Sequence, residues 1–233
     1  MKAAWYERTG EAQKVLQIGE LDNPLPNKGE VLVQLKTSGI NPSDVKTRAG
    51  ARGDLQFPKI VPHSDGAGTI VDVGEGVDKK RIGERVWIWN GAFGRAFGTC
   101  AELISLPEFQ AAKINDSVDF KSAACMGIPA STAYYGIFAN GSVKDKTVLI
   151  SGGAGAVGFY GIQLAKLSGA SVITTISSDE KAKVAQEAGA DKVINYKNED
   201  VVEEIMNFSS NKGVDRIFEV EFGGNLSINE KVI

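Results

Sequence analysis

The residues with the plainest chemical potential are glycines. The segment Ser151-Gly152-Gly153-Ala154-Gly155-Ala156-Val157-Gly158 contains the spacing G-x-G-x-x-G at Gly153, Gly155 and Gly158. It follows Lys146-Thr147-Val148-Leu149-Ile150, a run suited to a fully buried parallel strand. Glycines at this spacing permit a tight turn and close backbone approach, and a helix start behind them offers unpaired N–H groups and a positive dipole end to a pyrophosphate. A purely structural turn would use the same letters, but the strand before and the helix after favour a dinucleotide.

Which dinucleotide depends on the tip of the second strand, where NAD sites usually carry an Asp or Glu for the ribose 2′-OH. Here Thr174-Thr175-Ile176-Ser177-Ser178 runs through that point, with no carboxylate until Asp179 and Glu180. Those acids read as a helix start, begun by Ser177 or Ser178, with Ser177 and Glu180 at capping-box spacing. A 2′-phosphate meets no repulsion at the strand tip and is received by Ser177 and the Lys181 ammonium, so NADPH is expected over NADH.

The elements that must position these groups alternate. Beyond the strand at 146–150, helices are expected at 158–168, 178–188 and 199–208, and strands at 171–176, 192–196 and 214–221, a pattern of right-handed crossovers and a parallel sheet. Residues 122–140 read as a helical segment interrupted or started at Pro129. Before about Ile114 the pattern is short and strand-like: Val31, Val33 and Leu35 alternate with polar neighbours, and 69–73 and 85–89 are β-branched or aromatic. The expected fold is α/β and β: a partly closed β-barrel over 1–121, then a doubly wound parallel sheet over 122–233.

Composition excludes other classes. The chain has 233 residues, 42% of them hydrophobic, enough for a core and for one to two domains. With 26 basic and 29 acidic residues and no long single-sign run, nucleic acid is not an expected partner. The uncharged stretch 147–165 is broken by five glycines and is not read as a membrane span. Cys100 and Cys125 are too few for a disulfide framework and suit a reducing cytosol, and no export signal is visible at the amino terminus, so a cytoplasmic location is expected. There is no G-x-S-x-G elbow or phosphate-binding G-x-x-x-x-G-K-[ST] loop, and a single histidine makes a Ser-His-Asp triad a poor reading.

Four segments together carry a resemblance: Asn41-Pro42-Ser43-Asp44, Pro62-His63-Ser64-Asp65-Gly66-Ala67-Gly68, the loop 152–158 and Val193-Ile194-Asn195-Tyr196. In order along the whole chain, they resemble the zinc-independent quinone oxidoreductases of the medium-chain dehydrogenase/reductase superfamily. The resemblance implies a GroES-like barrel, a Rossmann domain and NADPH:quinone reduction in the cleft between them. It places Gly155, Ala156, Val157 and Gly158 on the pyrophosphate, Ser177, Lys181 and Tyr196 near the 2′-phosphate, and Asn41 and Thr132 near the nicotinamide. It also implies a homodimer for the full-length family.

Zinc-dependent members of that superfamily place their ligands at positions matching Asn41, Ser64 and Ile128 here, none a usual zinc ligand. No metal is therefore expected, and His63 reads as a barrel histidine hydrogen-bonded to its neighbours. Without a metal, the substrate must already accept hydride easily, as a quinone does when it becomes aromatic. Asn41 is the candidate donor to the quinone oxygen, and Asp44 and Lys46 are candidates for a proton path, although Asn41-Pro42-Ser43-Asp44 is also good turn chemistry. Trp87, Trp89, Phe93 and Phe97 suit either a flat apolar pocket or barrel core.

The family's sheet has six strands and this sequence supplies four, with Ile233 falling just as a helix after residue 224 should begin. The expectation is a truncated chain with an incomplete Rossmann sheet, a bare fourth strand and the first half of the cofactor site. Two other functional readings stay open: an enoyl reductase, which needs a placed proton donor, and a catalytically impaired NADPH-binding fragment.

Overall fold

Strands that are apolar at every position need cover on both faces, and the second half of the chain is built to provide it. The computed structural model describes all residues from Met1 to Ile233. They form two compact units, Met1–Ile128 and Pro129–Ile233.

The first unit opens with β1 (Lys2–Trp5), the short α1 (Ala12–Val15) and β2 (Gln17–Glu20), β1 and β2 forming an antiparallel ribbon. Then come β3 (Glu30–Gly39), α2 (Pro42–Arg48), β4 (Asp65–Val73), β5 (Arg85–Ile88), β6 (Leu103–Pro107), β7 (Ala111–Lys113) and α3 (Phe120–Ala124). The five later strands make an antiparallel sheet in the order β6-β3-β4-β5-β7. Val31, Val33, Ile70, Val86, Ile88, Ile104 and Leu106 form its core. Bridges Ala3↔Ala101, Tyr6↔Ile60 and Val61↔Phe97 draw in other segments, giving a partly closed barrel. Ala123 and Ala124 of α3 pack with Ala67 and Ile114, so α3 belongs with the barrel and the division falls after Ile128, later in the chain than residue 121.

A five-residue π turn at Met126–Ala130 leads into α4 (Ser131–Phe138). Pro129 lies inside that turn, and its missing N–H breaks the helical ladder. The expected 122–140 segment is therefore three pieces: α3, the π turn and α4.

The second unit continues through β8 (Thr147–Ile150), α5 (Ala156–Leu167), β9 (Ser171–Ile176), α6 (Asp179–Glu187), β10 (Lys192–Asn195), α7 (Val201–Phe208), β11 (Arg216–Phe218) and α8 (Phe222–Val232). All pairings are parallel, in the order β10-β9-β8-β11, with β11 at one edge. Each strand alternates between two cores. Val148, Ile150, Val172 and Ile176 meet α4, α5 and α6 through Ala133, Ile137, Ile162, Ala165 and Ala185. Leu149, Ile173 and Ile194 meet α7 and α8 through Val201, Ile205 and Val232 on the opposite face. This is the doubly wound Rossmann arrangement. β11 is shorter than the expected 214–221, and a helix forms after it, beginning at Phe222. No helix is long and apolar enough to cross a membrane.

Candidate functional site

The glycine loop links β8 to α5, and each glycine in it meets a different demand. Gly152 makes the turn with φ +68°. A Cβ at Gly153 would overlap Thr174 Oγ1 of β9, and one at Gly158 would overlap the Gly152 carbonyl, so these two are required by close packing. Gly155 is different: a Cβ there would meet only the Gly152 oxygen, at 3.2 Å. Internal packing asks less of it than of Gly153 or Gly158, and a side chain there would stand over the mouth of α5. Gly155 is the N-cap of α5 and no side chain caps that end, so the first-turn N–H groups, including those of Ala156, Val157 and Gly158, are left for a ligand. β9 steadies the loop, Gly152 N–H donating to Thr175 Oγ1 at 3.2 Å and Gly153 N–H to the Thr175 carbonyl at 3.1 Å.

At the tips of β9 and β10, Lys181 Nζ donates to Ser177 Oγ at 2.8 Å. The helix cap is Ser178, whose Oγ accepts from Lys181 N–H, and the Ser177/Glu180 capping box does not form. A serine caps by accepting from the N2 or N3 amide, and with α6 beginning at Asp179 only Ser178 has that reach. Ser177 is thereby released to face outward with Lys181. Tyr196 N–H donates to the Ile176 carbonyl at 3.2 Å, which sets an exposed tyrosine beside the same strand tip. Thr132 is exposed in the first turn of α4.

A further group in this unit leaves no local signal in the sequence. Glu219, just past β11, accepts from Ser151 Oγ (2.8 Å), Asn229 Nδ2 (2.9 Å), Asn225 Nδ2 (3.0 Å) and Glu221 N–H (2.7 Å). Burial raises its carboxyl, but these bonds outweigh burial and hold it below its ordinary value. The network ties β8, β11 and α8 together beside a cavity of about 340 Å³ lined by Gly152, Thr175, Tyr196, Val220, Asn225 and Asn229.

In the first unit, Asn41 is the N-cap of α2 and is buried. Its main-chain N–H donates to Asp44 Oδ2 at 2.8 Å and its Nδ2 to Asp65 Oδ2 at 2.7 Å. One of the two amide N–H donors is thus spent on Asp65, and the other remains. Asp65 Oδ1 accepts the Ile128 N–H at 2.9 Å. Burial, and more weakly Asp44, push the Asp65 carboxyl up to about 6 against the pull of those two donors. Asp44 is raised by burial, opposed by the Asn41 N–H, His63 and Arg52, whereas Lys46 is exposed.

His63 occupies left-handed backbone, φ +77°. Thr99 Oγ1 donates its one proton to the Asp65 carbonyl at 2.6 Å, so Ser38 Oγ must donate to Thr99 Oγ1 (2.9 Å) and accept from His63 Nδ1 (2.9 Å). His63 therefore carries its proton on Nδ1, and burial lowers its pKa. The chain of bonds ends on a carbonyl, which orients the ring and offers a proton no exit. The four aromatics do not share one pocket. Trp87 packs under α3, Trp89 donates to the Phe109 carbonyl at 3.1 Å, Phe93 is exposed, and Phe97 lines a separate cavity with Leu25 and Leu103.

Comparison with known proteins agrees with this anatomy. Residues 27–148 match the alcohol dehydrogenase GroES-like domain, and residues 156–224 the domain described as zinc-binding dehydrogenase. The rat (Rattus norvegicus) quinone oxidoreductase is 31% identical over 90% of this chain and 63% of its own length. The Pseudomonas syringae quinone oxidoreductase structure superposes with TM-score 0.87 at 28% identity, over all of this chain and 70% of that one. The Escherichia coli quinone oxidoreductase complexed with NADPH gives TM-score 0.82 at 28% identity, over 97% and 68%. A GroES-like barrel followed by a Rossmann-type sheet defines a medium-chain dehydrogenase/reductase. The chain belongs to the quinone oxidoreductase family of that superfamily. It spans about three-fifths of the length of the curated relatives it matches.

The second domain's description raises the question of zinc. Asn41, Ser64 and Ile128 supply an amide, a hydroxyl and an aliphatic side chain, and no three His, Cys, Asp or Glu side chains gather anywhere in the structure. That donor set does not suit a zinc ion.

Proposed function

We propose that this chain binds NADPH at the glycine loop and that the whole protein uses it to reduce a quinone, or a similarly activated carbonyl or enone, without zinc. The observation that carries the reading is Gly155: a glycine that packing requires less than Gly153 or Gly158, at the uncapped start of a helix that follows a buried parallel strand. The Gly155 N–H closes the turn on the Gly152 carbonyl, so the main-chain amides of Ala156, Val157 and Gly158 hold the pyrophosphate over Gly155, and Gly153 keeps the turn close to β9. Ser177 and Lys181 take the 2′-phosphate, their 2.8 Å hydrogen bond already pointing both polar ends at one spot, with Tyr196 alongside. Asn41 and Thr132 attend the nicotinamide.

When bound, NADPH supplies the hydride. Because the donor set does not suit zinc, the acceptor must take hydride readily, and a quinone does. Asn41 keeps one N–H for the quinone oxygen that gains charge, while Asp44, accepting from the Asn41 main chain, and Lys46 beyond it lead a proton in from solvent. The E. coli relative complexed with NADPH supports the choice of cofactor.

The test has two stages. Calorimetric titration should show NADPH binding at least about tenfold tighter than NADH, as one charge-assisted contact provides. NADPH oxidation is then followed with 1,4-naphthoquinone and with an α,β-unsaturated ketone. Quinone-dependent oxidation supports the reading; turnover of the enone alone makes the protein an enoyl reductase, and binding without oxidation leaves an NADPH-binding role.

A further inference from the structure

The first unit buries a carboxylate without a cation. Asp65 is 1% exposed and no ion pair reaches it; its oxygens meet Asn41 Nδ2 at 2.7 Å and Ile128 N–H at 2.9 Å. The space it fills is carved by glycine, since a Cβ at Gly127 would overlap Oδ1 and one at Gly39 would stand 3.0 Å from the Asp65 Cβ. Burying a charge with two neutral donors is costly, and an isosteric asparagine would avoid that cost. What asparagine could not do is accept from both donors at once. A carboxamide whose oxygen kept the Ile128 N–H would turn its NH₂ toward Asn41 and call for the Asn41 oxygen, whereas an ionised carboxylate accepts at both oxygens and so holds the Asn41 nitrogen inward.

The geometry points to Asp65 as a positioning residue that sets which way the Asn41 carboxamide faces and ties it to the main chain at Ile128. This rests on the role proposed for Asn41 in the reduction. When Asp65 takes up a proton it gains a donor, the Asn41 amide is free to turn over, and the Ile128 contact weakens. The burial that raises the Asp65 carboxyl to about 6 brings this change into an accessible range. The charged neighbour shifting it is Asp44 from α2, which itself faces His63 and Arg52. At the carboxylate, β3 presents Gly39 and the turn after α3 presents Gly127 and main chain, while the Thr99 hydroxyl meets the Asp65 main-chain carbonyl instead.

Nuclear magnetic resonance on the whole chain reads this directly, with no need of turnover. The Asn41 side-chain NH₂ and Ile128 amide signals should move together with a midpoint near pH 6, matched by the ¹³C carboxyl shift of Asp65 in the unaltered protein. Asp65→Asn should abolish the shared titration, and Asp44→Asn should keep it with a lower midpoint. Static Asn41 and Ile128 signals between pH 4.5 and 8, or a titration that survives Asp65→Asn, overturns the inference. If quinone reduction is observed, kcat should fall about fourfold from pH 7.5 to 5.5, the loss of ionised fraction for a group near 6, with the KM for NADPH unchanged. A flat kcat across that range also overturns the inference. Absence of turnover altogether counts against the proposed function, while the resonance titration still decides the role of Asp65.

Discussion

Lys181 Nζ and Ser177 Oγ lie 2.8 Å apart across the start of α6, and the serine is available because its neighbour Ser178 holds the cap. Lys181→Ala and Ser177→Ala should each weaken NADPH by about 5- to 30-fold, or 1–2 kcal/mol for an exposed charge-assisted contact. NADH should bind as before. Titration of both cofactors against both variants checks this, and equal losses for the two would reject the 2′-phosphate assignment. Ser178→Ala should instead cost about 1 kcal/mol of stability through the lost cap and leave cofactor preference alone.

Gly155 and Gly158 should separate binding from folding. In Gly155→Ser the new hydroxyl caps α5 using the N–H groups a pyrophosphate needs, so the melting temperature should hold or rise while NADPH affinity drops at least about tenfold. Gly158→Ala drives a methyl into the Gly152 carbonyl and should lose about 1–3 kcal/mol. Thermal melts and cofactor titrations on the same two variants decide it. Loss of folding in Gly155→Ser with binding kept would invert the assignment.

Asn41→Ala removes the cap of α2 and leaves the Asp65 carboxylate with the Ile128 N–H alone, so stability should fall by about 2–3 kcal/mol at pH 7. Lowering the pH toward 5 should recover part of the loss, because a protonated Asp65 no longer needs the missing donor. Denaturant melts at the two pH values test the sign.

Glu219 should act on pH in the opposite sense. Its carboxyl lies below the ordinary 4.5, so its contribution is present above pH 4.5 and is lost as pH falls through the lower folded value. Asp65, raised from 3.8 to about 6, costs stability progressively as pH rises through that interval and no further above it. Glu219→Gln should flatten the acid side of the stability curve, and Asp65→Asn the interval from 4 to 6. Hydrogen exchange at Ser151 and in α8 should rise in Glu219→Gln, since four donors lose a charged acceptor.

Sequence by itself determined what depends on local spacing. Strand 171–176 was legible to the residue, and so was the order of strands and helices after it, because a two-faced parallel sheet writes apolar runs and 3.6-residue periods into the chain. The glycine loop's place between a buried strand and a helix was legible for the same reason, its turn depending on neighbours in sequence. Only the tertiary structure could decide which of Ser177 and Ser178 caps α6, since that turns on where one helical turn begins. Nor could any pattern announce that Asp65 reaches Asn41 and Ile128, 24 and 63 positions away, or that Glu219 reaches Ser151 across 68. Such hydrogen bonds are made by the approach of distant segments and leave no period in the sequence, and the burial that shifts those carboxyls exists only once the core has closed around them.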